Sequence, residues 1–398
     1  MNYRKTLFGA AMLSLMLVSC AHDDEKKLQP IDAIEGENRV DISSDSAEVK
    51  LETIQLPANF SIEVWAANVP NARSLATTEE GIVFVGNRDE KNVYALIDSD
   101  GDGKANFRYT LAEDLRSPNG VAYKDGDLYV AEISRILKFP DIKNHLADPT
   151  FEVVYDGYPT EGHHGWKFID FGPDGMLYIP VGAPCNICEP EKEIFASITR
   201  IDLNAENIEP EIVAHGVRNS VGFDWHPDTK NLWFTDNGRD QMGDDVPECE
   251  LNEITEVGQH FGYPYWHEGT VKDPEFGDNG EDQSAYEMPK AKMGPHVAPL
   301  GMRFYAGEMF PDDYNKSIFV AKHGSWNRSK KSGYVVSNVS LSGSEVTGET
   351  VFASGWLDDA SQEVWGRPVD VQELPDGSLL VSDDMAGCIY RISYSDKN

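Results

Sequence analysis

The sequence predicts an all-β fold, a six-bladed β-propeller. Three observations predict it: a strand–turn–strand unit recurs six times, its turns carry Gly, Pro and Asp at fixed places, and its copies follow one another at blade-like spacing. The clearest copy runs Phe168-Ile169-Asp170-Phe171, Gly172-Pro173-Asp174-Gly175, then Leu177-Tyr178-Ile179. Pro presets φ in such a turn, Gly tolerates positive φ, and the flanks are β-formers. In chain order the units begin with a degenerate one, Thr78-Glu79-Glu80-Gly81 before Ile82-Val83-Phe84-Val85. The second is Val121-Ala122-Tyr123, Lys124-Asp125-Gly126-Asp127, Leu128-Tyr129-Val130, and the copy above is the third. The fourth pairs Val221-Gly222-Phe223-Asp224-Trp225 with Leu232-Trp233-Phe234 across His226-Pro227-Asp228. The fifth is again degenerate, Pro311-Asp312-Asp313-Tyr314 before Ile318-Phe319-Val320. The sixth joins Val369-Asp370-Val371 to Leu379-Leu380-Val381 through Pro375-Asp376-Gly377. Successive units lie roughly 45–60 residues apart with one longer gap. That gap holds a Gly-, Pro- and Asp-rich stretch, residues 258–295, read as a long loop over one face. Turn signals do not fix ring closure, so a pair of β-sandwiches is the competing architecture.

With 34 Lys and Arg against 68 Asp and Glu, the net charge is −34. Such a surface repels nucleic acid, and no basic stripe interrupts it. Apolar residues make 40% of the chain and aromatics 10%, enough for a large core and against disorder. Residues 51–398 read as one domain. Residues 1–20 read as a targeting segment: Arg4 and Lys5 precede an apolar run too short to cross a bilayer. The run ends Leu17-Val18-Ser19-Cys20, which resembles a bacterial lipobox, implying that Cys20 is acylated and becomes the mature N-terminus. Ala21 at the following position implies the outer membrane. Residues 21–50, acidic and poor in structure signals, read as a tether that leaves the folded part in the periplasm or at the cell surface. Cys185, Cys188, Cys249 and Cys388 then allow three disulfide pairings in an oxidising compartment, or a zinc site. Glu189, not His, follows Cys185-Asn186-Ile187-Cys188, which excludes c-type haem attachment there.

His163 and His164 stand just before the third hairpin, where a scaffold presents chemistry. Further motifs follow in one order. They are His215-Gly216-Val217-Arg218-Asn219-Ser220, Asp236-Asn237-Gly238-Arg239-Asp240, Glu250-Leu251-Asn252 and Phe261-Gly262-Tyr263-Pro264. Ala298-Pro299-Leu300-Gly301-Met302, His323-Gly324-Ser325-Trp326-Asn327-Arg328 and Gly366-Arg367-Pro368-Val369-Asp370 complete the set. In this co-linear order the chain resembles the glucose/sorbosone dehydrogenase family, quinoproteins that bind pyrroloquinoline quinone on a six-bladed propeller. The Cys185-Asn186 loop and the His323–Arg328 segment favour its sorbosone-like branch.

The resemblance implies oxidation of a small sugar, or a related aldehyde or alcohol, by hydride transfer to the quinone, with electrons passed to an external acceptor. Such chemistry needs a base for the hydroxyl proton and positive charge near the reduced quinone. An ungapped count back from Phe171-Gly172-Pro173-Asp174-Gly175 places the family's base on His164; His163 requires an insertion. Where the glucose branch has an Asp to orient that histidine, this chain has Ala183, so the orienting partner is unidentified. Arg218 and Asn219 match the family's clamp on the quinone carbonyls, and Arg367 matches a further cation, although the second Arg of that motif is lost. Arg328 and Lys322 are candidates for a carboxylate-binding cation. The implied Ca²⁺ would rest on the backbone carbonyls of Gly238 and Arg239, where the family's Pro is absent. Separately, Asp98, Asp100 and Asp102 have calcium-loop spacing, with Tyr109 where the loop's Glu belongs; a solvated hairpin tip is the alternative. Two other functions compete: a calcium-dependent lactonase built on Asn119, Asn219 and Asp383, and a binding propeller with Tyr263, Trp266, Trp326 and Trp365 around one rim.

Overall fold

A computed structural model describes Met1 and residues 31–396; Cys20 lies outside the described residues. Six sheets surround one axis as the blades of a propeller. The first four blades open with the inner strands Leu75–Thr77, Gly120–Lys124, Asp170–Phe171 and Phe223–Trp225, and the last two with Pro299–Phe304 and Pro368–Glu373. Every repeated unit of the sequence is the inner hairpin of one blade. The inner strands neighbour one another around the axis, and Pro368–Glu373 returns to Leu75–Thr77.

Local chemistry explains the hairpins. Asp125 and Gly126 both have positive φ, 52° and 94°, a two-residue turn that pairs Lys124 with Asp127. In the third blade the Gly175 N–H donates to the Gly172 carbonyl at 2.8 Å, and in the sixth Gly377 repeats this to Leu374 at 2.8 Å. Second strands such as Ile318–Lys322 and Leu379–Asp383 are buried along their whole length because a blade packs on both faces.

The apolar core lies between blades. One cluster joins the first two blades through Phe84, Leu128 and Phe139, and each later interface has its own. The closing interface, sixth blade on first, packs Trp65, Leu380 and Ile389 against Leu75, Val83 and Leu96. It is stitched by Phe60–Ala66, which pairs with Cys388–Tyr394 as the outer strand of the last blade. The ring therefore closes with strands from both ends of the chain, and the sandwich alternative falls.

Two stretches differ from expectation. Within residues 258–295, Gln259–His260 pairs in parallel with Glu211–His215, and Ala291–Pro295 is the outer strand of the fourth blade. Only the middle, with its small hairpin Trp266–His267 and Val271–Lys272, is the expected excursion. The described part of the expected tether is also bound. Arg39–Asp41 adds a strand to the first blade, and Asn38 Nδ2 donates to the Thr110 and Leu146 carbonyls of two blades. Ile42, 2% exposed, enters the closing core. Hydrophobic burial outweighs the acidic composition here.

Ile42→Ala should therefore destabilise the protein by about 2–4 kcal/mol in urea denaturation, as a core truncation does; a tether residue would give no measurable change.

Candidate active site

Each blade starts its inner strand and ends its second strand at one face, so the loops before the first and after the second meet there. They surround a cavity of about 340 Å³. His164 lines it, while His163, its ring 4.1 Å away, is exposed outside the lining. The two residues form a turn closed by the Gly165 N–H on the Gly162 carbonyl, their rings tilted against each other, and of the two only His164 reaches the cavity. His164 sits at a φ of +48°, an uncommon backbone for a non-glycine residue. It packs on Gly182, where a Cβ would stand 2.6 Å from the histidine Cβ. The missing orienting partner is present as backbone: His164 Nδ1 lies 2.9 Å from the Ala183 carbonyl. A carbonyl only accepts, so Nδ1 carries the proton and Nε2 remains an acceptor. Burial, then the charges of Arg218 and His163, push the His164 imidazole well below the ordinary histidine range.

Arg218 and Asn219 follow Val217 into the same wall. Asp236, at the end of the neighbouring strand, accepts their backbone N–H groups at 2.8 and 2.6 Å. The Arg218 guanidinium is nearly saturated: Nε donates to the Asn186 carbonyl, Nη1 to the Asn237 carbonyl, and Nη2 to Asn186 Oδ1, with Asp240 at 3.3 Å. The Asn219 side-chain amide has no hydrogen-bond partner among the described residues. Arg367 repeats the device on the last blade, its N–H facing Asp383. Its Nε and Nη2 donate to the His323 and Gly324 carbonyls, and it makes no ion pair among the described residues.

Sequence reading missed a second polar group in this cavity. Arg73, 2% exposed, donates to Asn119 Oδ1 at 2.6 Å and pairs with Asp384 at 2.6 Å. The other Asp384 oxygen accepts from His323 Nε2 at 2.8 Å. Against the burial that opposes it, His323 and Arg73 hold the Asp384 carboxyl well below its usual range, so it stays ionised. Burial leaves His323 neutral, pushed down to about 4. The sequence carries one signal for these residues, since Arg73 precedes its inner strand as Arg218 and Arg367 precede theirs. Arg88, stacked on Trp166, and His296 complete the polar lining, and Trp326 stands at the rim, 73% exposed.

Other expected residues stand as follows. Gly238 lines the cavity, and neither its carbonyl nor that of Arg239 accepts a hydrogen bond among the described residues; the Arg239 side chain turns away to Asp273. Arg328 and Lys322, expected at the cofactor, lie outside the lining. Arg328 is held on the surface by Asp244 and Asp245, while Lys322, within a fully buried strand, donates to the Met293 carbonyl and pairs with Glu349. Cys185 is bonded to Cys188, and Cys249 and Cys388 are buried thiols, which removes the zinc alternative. The Asp98, Asp100 and Asp102 oxygens lie within 4.8 Å of one another, but Asp98 already accepts the Gly101 and Gly103 N–H groups. Of the lactonase set only Asn219 lines the cavity. Asn119 is bound to Arg73, Ser74 and the Lys167 carbonyl, and Asp383 to Tyr390 and two N–H groups. Nor do the aromatics share a rim: Tyr263 is buried and Trp365 donates to the Gly355 carbonyl.

Comparison with known proteins bears on the family and the fold. The family model for glucose/sorbosone dehydrogenase matches residues 130–391. An uncharacterized protein of Borreliella burgdorferi is 31% identical over 363 residues, covering 88% of this chain and 93% of its own. Among solved structures, the holo form of the pyranose dehydrogenase PQQ domain from Coprinopsis cinerea aligns with a TM-score of 0.72 at 17% identity, over 85% of this chain and 97% of its own. The PQQ-bound aldose sugar dehydrogenase from Streptomyces coelicolor aligns with a TM-score of 0.59 at 19% identity, over 86% and 100%. At such identities these two likenesses establish the fold.

A depressed pKa means that His164 takes its proton only in more acidic solution. At pH 6.5, the ordinary histidine midpoint, it should still be neutral. An NMR titration of the histidine side chains should give His164 a midpoint below 6.5; one at or above that value contradicts the electrostatics described.

Proposed function

We propose that this chain, which belongs to the glucose/sorbosone dehydrogenase family, is a quinoprotein oxidoreductase that oxidises a sugar, or a related aldehyde or alcohol, with pyrroloquinoline quinone. One observation carries the reading. The cavity is lined by four guanidinium groups (Arg73, Arg88, Arg218, Arg367) against two carboxylates (Asp240, Asp384), in a chain of net charge −34. Cations gathered so heavily against the composition point to an anionic occupant, and the tricarboxylate quinone is one. The volume also falls in the range of small-molecule sites.

Arg367, unpaired, and Asn219, its amide unengaged, are the groups with donors to spare for that occupant. Arg218 contributes mainly fixed charge. Bound together, the quinone and a Ca²⁺ on the Gly238 and Arg239 carbonyls would supply a polarised acceptor for a hydride. His164 takes the substrate hydroxyl proton at Nε2, since Nδ1 is committed to Ala183. Its neutral form makes it available as a base, and Trp326 at the rim narrows the approach. Electrons leave to an external acceptor.

The test is reconstitution: protein, quinone and Ca²⁺, scored for sugar-dependent dye reduction. Activity is expected, and no binding of quinone by calorimetry overturns the reading. His164→Gln should lower kcat about a hundredfold or more while quinone still binds, and His163→Gln should change it little. The reverse pattern moves the base to His163.

The same proposal places the protein on the bacterial outer membrane through acylated Cys20, facing the periplasm or the surface, supported by Leu17-Val18-Ser19-Cys20. Mass spectrometry of the exported protein should find a multiply acylated Cys20 as the first residue, since several chains anchor firmly; an unmodified N-terminus at Ala21 overturns it.

A further inference from the structure

Arg218 is held from outside the cavity by one residue more than by any other. Asn186 gives its carbonyl to Arg218 Nε at 2.9 Å and its side-chain Oδ1 to Nη2 at 2.8 Å. The same amide reads the backbone of Asp240, the carboxylate opposite Arg218: Oδ1 accepts the Asp240 N–H at 2.9 Å and Nδ2 donates to the Asp240 carbonyl at 3.1 Å. Asn186 does not line the cavity, so it acts through these two neighbours.

The loop that presents Asn186 is itself closed. Cys185 and Cys188 are joined by a disulfide across Asn186 and Ile187. Buried Tyr263 fastens its far end, its hydroxyl accepting the Cys188 N–H at 3.0 Å and touching Cys185 Sγ at 3.3 Å. A main-chain acceptor such as the Asn186 carbonyl stays on Arg218 Nε only while residues 185–188 keep this course. Arginine has many rotamers, and fixing them before a ligand arrives removes that cost from binding.

We propose that Asn186, presented by the loop that the Cys185–Cys188 disulfide closes, is the positioning residue of Arg218. The proposal rests on the reading that the cavity holds the quinone. Its role is to aim the guanidinium, and the disulfide serves that aim as well as stability.

Two variants of the full chain test it, Asn186→Ala and the double variant Cys185→Ala with Cys188→Ala. Each is measured for Kd toward pyrroloquinoline quinone in CaCl₂ by calorimetry, and for Tm without quinone. Asn186→Ala should bind about tenfold or more weakly, with a Tm close to wild type, because the loop stays closed. The double variant should weaken binding in the same direction. If both bind as wild type does, with only Tm lowered, the loop is structural and the proposal falls. Should Asn186→Ala not fold, the double variant decides by the same criterion. A wild-type protein that binds no quinone overturns the functional reading and this inference together; normal wild-type binding with unchanged variants overturns only this one.

Discussion

Closure of the sixth blade on the first is the constraint on which everything else in this molecule depends. Arg73 and Asp384 face each other across that seam although 311 positions separate them in the chain. The pairing of Phe60–Ala66 with Cys388–Tyr394 and the packing of Trp65 among Leu75, Leu380 and Ile389 hold the seam shut. Asp370 adds a polar clasp, its Oδ2 accepting the Leu75 N–H at 2.9 Å from the first blade. Were the ring open, Asp384 would lose the guanidinium that helps His323 to keep it ionised. Any molecule that binds the cavity binds the closed ring and so stabilises it by mass action.

The second theme is how an acidic chain keeps a cationic cavity. Several of its buried carboxylates serve as backbone anchors. Asp236 fixes the main chain of Arg218 and Asn219, and Asp224 accepts the Phe304 N–H of the next blade at 2.8 Å. Burial pushes Asp224, Asp236 and Asp383 up to about 6, against the N–H donors and the charge that pull them back. Deeper along the axis, Arg303 lies among Asp170, Asp224 and Asp370. Much of the negative charge is thus committed to holding strands or to pairing single arginines, as Asp89 pairs with Arg88 at 2.9 Å, and the Arg367 guanidinium is left at the cavity without an ion pair among the described residues.

The fold was legible because each inner hairpin is a local object. Turn residues and β-formers close together in sequence specify it, whereas closure of the ring rests on the pairing of Phe60–Ala66 with Cys388–Tyr394, which no local signal carries. The Gly258–Pro295 stretch was only half legible: Lys292, Gly294 and Pro295 are poor strand formers, and the pairing of Ala291–Pro295 with Glu248–Ile254 is imposed by the blade. Register alone favours His164 over His163 as the candidate, and His164 is the one of the two that lines the cavity. Arg73, Asp384 and Asp240 could not be chosen, since their meaning comes from partners on other blades. Lys322 and Arg328 show the converse, where a cation at a plausible position is consumed by Glu349 or by Asp245. The role of the Cys185–Cys188 loop was hidden for the same reason, because the partners of Asn186 lie 32 and 54 positions away.

The substitution of a carbonyl for a carboxylate behind His164 has a physical consequence. A full negative charge would favour the imidazolium; the Ala183 carbonyl offers only a dipole, while Arg218 and His163 oppose the charged form. In the proposed reaction the base therefore takes a proton without a deep well to hold it, which suits a group that must release that proton before the next turnover. Ala183 also donates its N–H to the Arg218 carbonyl at 2.8 Å. One residue thus sets the tautomer of the histidine on one side and the backbone of the guanidinium on the other. Since Gly182 beside it leaves no room for a Cβ, the end of the strand Leu177–Val181 fixes both groups as one rigid unit.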